Sequence, residues 1–130
     1  HATRAAISDG IVPGGGVSLV RASSKIPLSQ NLPGFSVVRT ACEEPLKQIV
    51  RNAGGTPELV LEKVKSLPNT EGYDAYLDSF GDMFKMGIID PTKVVKAAIE
   101  NASAAASMLL TVGCAMVADE QDPIGNQINF

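Results

Sequence analysis

The residues best placed to do chemistry are the run Ile11-Val12-Pro13-Gly14-Gly15-Gly16-Val17 and the carboxylates Asp74, Asp78, Asp82 and Asp90. Glycines tolerate positive φ and let another group approach the backbone closely. A helix opening at Val17 would aim its free N–H groups and positive dipole end at whatever fills the turn, which suits an anion or a nucleotide. The spacing is neither the Walker pattern nor the dinucleotide fingerprint. The same residues equally suit a tight turn where a helix and a strand pack closely. Each of the four aspartates could coordinate magnesium or orient a ribose. Each also suits a turn, and Asp90 before Pro91 suits a helix N-cap.

Other chemistries fail on residue count. One histidine and two distant cysteines cannot supply a zinc-type ligand set. Nucleophilic catalysis by serine or cysteine would have only His1 as its base.

The elements that must position the candidates come from an aliphatic, alanine-rich chain. Its 130 residues match one domain or a part of one. Hydrophobic residues make up 45%, but aromatics only 5% and tryptophan is absent, so the core must be aliphatic and alanine-rich, which suits closely packed helices. A formal net charge of −3 with no basic block lacks the footprint of a nucleic-acid binder. No apolar run reaches the roughly 20 residues of a membrane span. Cys42 and Cys114 lack CxxC spacing and read as free thiols of a reducing compartment. Asn101-Ala102-Ser103 fits the glycosylation sequon, but its helical setting argues against use.

In chain order, residues 1–9 read as the end of a helix stopped by Gly10. With no initiator methionine, the chain is expected to be a piece of something longer. After the helix led by Gly16, Lys25 to Gly34 reads as a loop with Pro27 and Pro33. Phe35 to Glu44 reads as a helix with Phe35, Val38 and Cys42 on one face, and Pro45 as the first turn of another that stops at Gly54-Gly55. Thr56-Pro57-Glu58 is a helix start with a capping hydroxyl, feeding Leu59, Leu61 and Val64 to the core and fading at Leu67-Pro68. Gly72 to Asp82 reads as a short hairpin or irregular loop, with Met83, Phe84 and Met86 as apolar anchors after it. Asp90 caps the longest helix, Pro91 to Gly113, where Val95, Ile99, Ala102, Ala106 and Leu109 recur at helical spacing. Cys114 to Ala118 could form an edge strand, and residues 119–130 read as a polar tail. The fold class is therefore mainly α, with a short hairpin and a possible edge strand.

Three stretches taken together carry a resemblance. His1-Ala2-Thr3-Arg4-Ala5-Ala6 followed by Gly10 to Val17, then Glu44-Pro45-Leu46-Lys47-Gln48-Ile49-Val50, then Met86-Gly87-Ile88-Ile89-Asp90-Pro91-Thr92-Lys93-Val94, resemble the group I chaperonins of the GroEL type in order and spacing. The resemblance covers about residues 1–118. It implies the C-terminal half of the equatorial domain, a multihelical body that binds ATP and makes most ring contacts. It implies nucleotide contacts from the backbone of Gly14 and Gly15, from Ile88 on the adenine face, from Asp74 and Ala75 at the adenine edge, and from Asp90 to the ribose hydroxyls. It implies ATP or ADP as ligand, with magnesium held by residues outside this chain. The implied partners are other subunits of a homo-oligomeric ring, a co-chaperonin and unfolded polypeptides, the last two through domains not present here; no nucleic acid and no membrane is expected. The implied compartment is the cytoplasm of a bacterium, or a mitochondrial matrix or plastid stroma.

The chain departs from that pattern at several positions. Asp74 stands where asparagine is common, Tyr76 where a small residue is usual, and Thr56 where an acid would pair with Lys47 across the ring-to-ring surface. The loop from Lys25 to Phe35 is shorter, and Gln121 to Phe130 replaces a glycine- and methionine-rich end. The phosphate and magnesium motifs and the catalytic aspartate of the family belong upstream of His1, so the isolated chain is expected not to hydrolyse ATP. The alternative reading is a divergent helical assembly or interaction module without ATPase activity.

Overall fold

The computed structural model describes residues 2–27 and 33–113. Its elements are α1 (Ala2–Asp9), β1 (Ile11–Pro13), α2 (Val17–Ser23), α3 (Pro33–Asn52), α4 (Pro57–Ser66), β2 (Glu71–Asp74), β3 (Ser79–Asp82), β4 (Ile89–Pro91) and α5 (Thr92–Thr111). Mainly helical structure with one hairpin is what the sequence led us to expect. The chain falls into two compact units, residues 1–97 and 98–130.

In the first unit, α1 ends where Gly10 turns left-handed at φ +78° and gives its N–H to the Ala6 carbonyl at 3.0 Å. Strand β1 then pairs antiparallel with β4, setting Ile11 against Pro91, Val12 against Asp90 and Pro13 against Ile89. The core gathers Val17 and Val20 from α2, Leu46 and Val50 from α3, Val60, Leu61 and Val64 from α4, Tyr73 from β2, and Met83. Hairpin β2–β3 aligns Tyr73 with Phe80, whose rings lie 5.1 Å apart. Lys63 of α4 places its ammonium 4.4 Å above the Phe80 ring, tying helix to hairpin. Arg21 of α2 donates to the carbonyls of Pro68 at 2.8 Å and Glu71 at 3.0 Å, fixing the hairpin base. Burial lowers the pKa of that guanidinium, and Glu71 partly offsets the effect.

Several expectations are corrected here. Residues 33–52 form one helix, with Pro45 inside it rather than at the start of a second. A proline there leaves the Ala41 carbonyl without its helical donor. Both Ala41 and Pro45 are exposed, so water can meet that carbonyl and the helix continues. Phe35, Val37 and Val38 are also exposed, because the buried face of α3 is Glu43, Leu46 and Val50. Glu43 is buried with its charge matched, since Lys65 Nζ of α4 lies 3.0 Å from its carboxylate. On α4, Leu59 points outward at 71% exposure and Val60 takes its place beside Leu61 and Val64. Thr56 precedes α4 in extended conformation but makes no side-chain cap bond. After the hairpin, Met83 alone is fully buried, while Phe84 is exposed and Met86 half-buried.

The last helix begins one residue later than expected. Asp90 and Pro91 belong to β4, and Thr92 gives its N–H to the Gly10 carbonyl at 3.0 Å. Pairing with β1 holds this stretch extended, so Asp90 is a strand residue rather than an N-cap. The described part of the second unit, residues 98–113, is the remainder of α5 and the two residues after it. None of α5 is buried, including the stripe Val95, Ile99, Ala102, Ala106 and Leu109. Cys114 to Ala118, residues 119–130 and the middle of the loop after Pro27 lie outside the described residues.

Candidate functional site

The glycine turn is the hinge between β1 and α2, and each of its glycines has a different reason to be one. Gly14 gives its N–H to the Ile88 carbonyl at 2.9 Å and accepts from Val17 N–H at 3.1 Å. A methyl group on Gly14 would come within 3.1 Å of the Ile88 carbonyl, so the two backbones would have to part by a few tenths of an ångström to admit it. Gly16 has φ +79°, and a methyl group there would lie 2.7 Å from Leu46 N of α3. Gly15, at φ +62°, is the least crowded of the three. A methyl group on it would meet Met83 Cε at 3.4 Å, the Tyr73 carbonyl at 3.7 Å and Ile88 Cγ2 at 3.8 Å.

The tight packing weighed in the sequence is thus present at Gly14 and Gly16. Both the Gly14 N–H and the first N–H of α2 are spent inside the protein.

Three separate stretches meet around Gly15. The first is the turn itself. The second is Ile88, whose N–H bonds back to Met83 at 2.9 Å and whose side chain packs on the core. The third is the end of β2, where the Tyr73 carbonyl faces the turn and Asp74 and Ala75 follow. Asp90 comes in with β4, directly opposite Val12. Ile88 lies two residues before Asp90, so the alternation of an extended chain brings both to one face. Gly14 is buried, and Gly15, Asp74, Ala75, Ile88 and Asp90 are all half-buried, within reach of a ligand from solvent.

The hairpin carries its own support. Asp74 Oδ1 accepts from the N–H groups of Tyr76 at 2.8 Å and Leu77 at 3.2 Å, an Asx turn that shapes the hairpin tip. Asp82 does the same at the other end, accepting from Phe84 and Lys85 N–H at 3.0 Å each. Asp78, the non-glycine residue at positive φ (48°) among the described residues, accepts from Tyr73 Oη at 2.7 Å. That hydrogen bond, with burial, raises the Tyr73 pKa. Asp74, Asp78 and Asp82 therefore each have a structural task. Among the described residues no group of three acidic, histidine or cysteine side chains could hold a metal ion.

Gly72 is a site-forming residue that sequence reasoning passed over. A methyl group on it would collide with Val17 Cγ2 and come within 2.7 Å of Met83 Sδ. Its bareness lets the hairpin lie directly on α2 and the Met83 segment, which sets the height of Asp74 and Ala75. A glycine inside a strand pattern is the signal that could have found it.

Lys47, the basic residue named with Thr56, and Tyr76, a departure from the pattern, have the following settings. Lys47 pairs within its own helix, with Glu44 at 3.4 Å, and Arg51 joins the same carboxylate at 3.1 Å. The hydrogen bond from Arg51, with help from Lys47, lowers the Glu44 pKa. Tyr76 is 94% exposed at the hairpin tip. A shallow groove along Ser36, Val37, Thr40, Ala41 and Glu44 belongs to the outer face of α3 and involves none of the candidate residues.

Comparison with known proteins agrees with this architecture. Residues 1–120 match the TCP-1/cpn60 chaperonin family. The chain is 46% identical to the chaperonin GroEL of Carsonella ruddii (strain PV) over 130 positions, covering 94% of this chain and 24% of that protein. It superposes on a crystal structure of a group III chaperonin in the open state with a TM-score of 0.77 and 27% identity, covering 86% of this chain and 25% of that one. The chain spans about a quarter of the length of these relatives.

Proposed function

Because the chain belongs to the TCP-1/cpn60 chaperonin family, we propose that it supplies the sugar-and-base side of the nucleotide pocket in the equatorial domain of an ATP-driven folding chaperonin. The observation that carries this reading is the meeting of Gly15, Ile88 and the end of β2 at one half-buried spot, with Asp90 brought in by β4. Gly14 and Gly15 would let the nucleotide lie against bare backbone. Ile88 and Ala75 would give apolar surface to the base. Asp90 makes no side-chain hydrogen bond to any described residue, which leaves its two oxygens to accept from a pair of ribose hydroxyls. Asp74 would stand at the base edge.

Phosphates and magnesium would be held by residues outside this chain. Phosphoryl transfer is positioning plus electrostatics, so the chain by itself would not hydrolyse ATP. The complete subunit would assemble with further subunits and act on unfolded polypeptide. Its compartment would be the cytoplasm of a bacterium, in keeping with the bacterial relative.

The test is a calorimetric titration of the complete subunit carrying this chain with ADP, beside its Asp90→Ala variant. Saturable binding that weakens about tenfold or more in the variant is expected, since a hydrogen bond to a charged group contributes about 1.5–3 kcal/mol. Binding of equal strength in both would remove Asp90 from the site.

A further inference from the structure

We propose that Asp9-Gly10 is a covalent modification site, at which the aspartate rearranges to isoaspartate; the inference is independent of the nucleotide reading above. Of the aspartates and asparagines in the chain, only Asp9 precedes a glycine. The reaction is attack by the Gly10 backbone nitrogen on Asp9 Cγ, and a side chain on the following residue obstructs it. No atom lies within 4 Å of where a Cβ on Gly10 would stand, so the approach is open. The other described aspartates are held back by their settings. Asp74 Oδ1 and Asp82 Oδ1 each accept two backbone N–H bonds, and Asp78 accepts from Tyr73 Oη. Asp90 precedes a proline, which has no N–H to give up.

What restrains Asp9 is the bond from Gly10 N–H to the Ala6 carbonyl at 3.0 Å, and the helix behind that bond is weak. With 8 residues, α1 is shorter than the about 12–15 at which an isolated helix becomes even marginal in water. Its last residue, Asp9, puts an anion at the negative end of the dipole, with no basic residue in the last turn to offset it. Ile7 is 81% exposed, and Thr3, Arg4, Ser8, Asp9 and Gly10 are exposed with it, so opening the last turn uncovers little core. In the reaction the Gly10 N–Asp9 Cγ bond forms, and the N–H proton and the carboxyl hydroxyl leave as one water, giving a five-membered succinimide. Water then adds at the Asp9 main-chain carbonyl and breaks its bond to Gly10 N. The chain now runs through Cβ and Cγ, longer by one carbon and unchanged in mass, with water the only co-reactant. The Gly10 carbonyl accepts from Thr92 N–H at 3.0 Å and Ile11 pairs with Pro91, so the added carbon displaces β1 from β4.

The experiment ages the complete subunit carrying this chain at neutral pH, beside its Asp9→Glu variant, whose longer side chain would have to close a less favoured six-membered ring. Isoaspartate is read by methyl transfer from S-adenosylmethionine with an isoaspartyl methyltransferase. Fragmentation mass spectrometry then locates it among the tryptic peptides, of which 5–21 contains Asp9. Label is expected to gather in peptide 5–21 and to be missing from it in Asp9→Glu. Amide exchange at Thr92 is expected to be about fivefold faster in the isomerised fraction, the factor for one net backbone hydrogen bond. A folded subunit that leaves peptide 5–21 unlabelled, while the same synthetic peptide isomerises alongside, overturns the proposal by showing that α1 shields the bond. More label at any other position overturns it too. Unchanged exchange at Thr92 in the isomerised fraction overturns the displacement of β1 from β4.

Discussion

Gly16→Ala isolates the close approach on which the site is built. Two separate costs apply. An alanine at φ +79° sits in the left-handed region, at about 1–2 kcal/mol. Its methyl group would also lie 2.7 Å from Leu46 N and 3.0 Å from Leu46 Cα, and backbone atoms cannot swing aside. Relief requires α2 and α3 to separate, opening the contact among Val17, Val20, Leu46 and Val50, each no more than 1% exposed. Overpacking of this kind costs about 1–3 kcal/mol. The sum, about 2–5 kcal/mol, is a large part of a typical 5–15 kcal/mol stability.

Gly54→Ala calibrates the first cost alone. Gly54 also has φ +79°, but nothing lies within 4 Å of a methyl group there. Urea unfolding followed by circular dichroism should place Gly16→Ala about 2 kcal/mol below Gly54→Ala, read from the midpoint at unchanged slope. Equal destabilisation of the two, within about 0.5 kcal/mol, would refute the claim that the turn is fixed by packing against α3.

Other outcomes follow from the same contacts. Leu46→Ala should destabilise by about 2–5 kcal/mol, whereas Val37→Ala, on the exposed face of the same helix, should cost under about 0.5 kcal/mol in the same assay. A double-mutant cycle on Glu43 and Lys65 should return a coupling of about 1 kcal/mol, the pair being only partly shielded; zero coupling would mean the 3.0 Å contact does not persist in solution. The raised Tyr73 pKa gives a pH signature: its stabilisation is complete below the ordinary tyrosine value of about 10 and is lost as pH rises through the higher folded value. Alkaline unfolding should therefore lose that component in Tyr73→Phe, and an unchanged profile above about pH 10 would dismiss the hydrogen bond to Asp78 as its source. Purified chain should release no phosphate from ATP and magnesium above a blank, and a rate above that blank would contradict the absence of phosphate-side residues.

What the sequence determined by itself was local chemistry. Gly10 as a helix stop, Pro57 as a helix start, the fading of α4 at Leu67 and the turn residues between Tyr73 and Phe80 all act within a few residues of where they stand, so spacing alone reveals them. The three motif stretches likewise carried family membership, because they keep order and spacing along the chain. Tertiary structure decided what depends on a distant partner. Pro45 lies within one long helix because its face is open to water. Leu59 yields the core to Val60, and Phe35 to Leu46, because the buried face is set by where α2, α3 and α4 meet rather than by apolarity alone. Asp90 is a strand residue because β1, 77 or more positions earlier, holds it extended. The candidate site is of the same kind: Gly15, Ile88 and the end of β2 are far apart in the chain, and Gly14, Gly16 and Gly72 join them by leaving out side chains. A missing methyl group has no periodicity to read; its meaning appears only when the neighbour it makes room for is in place.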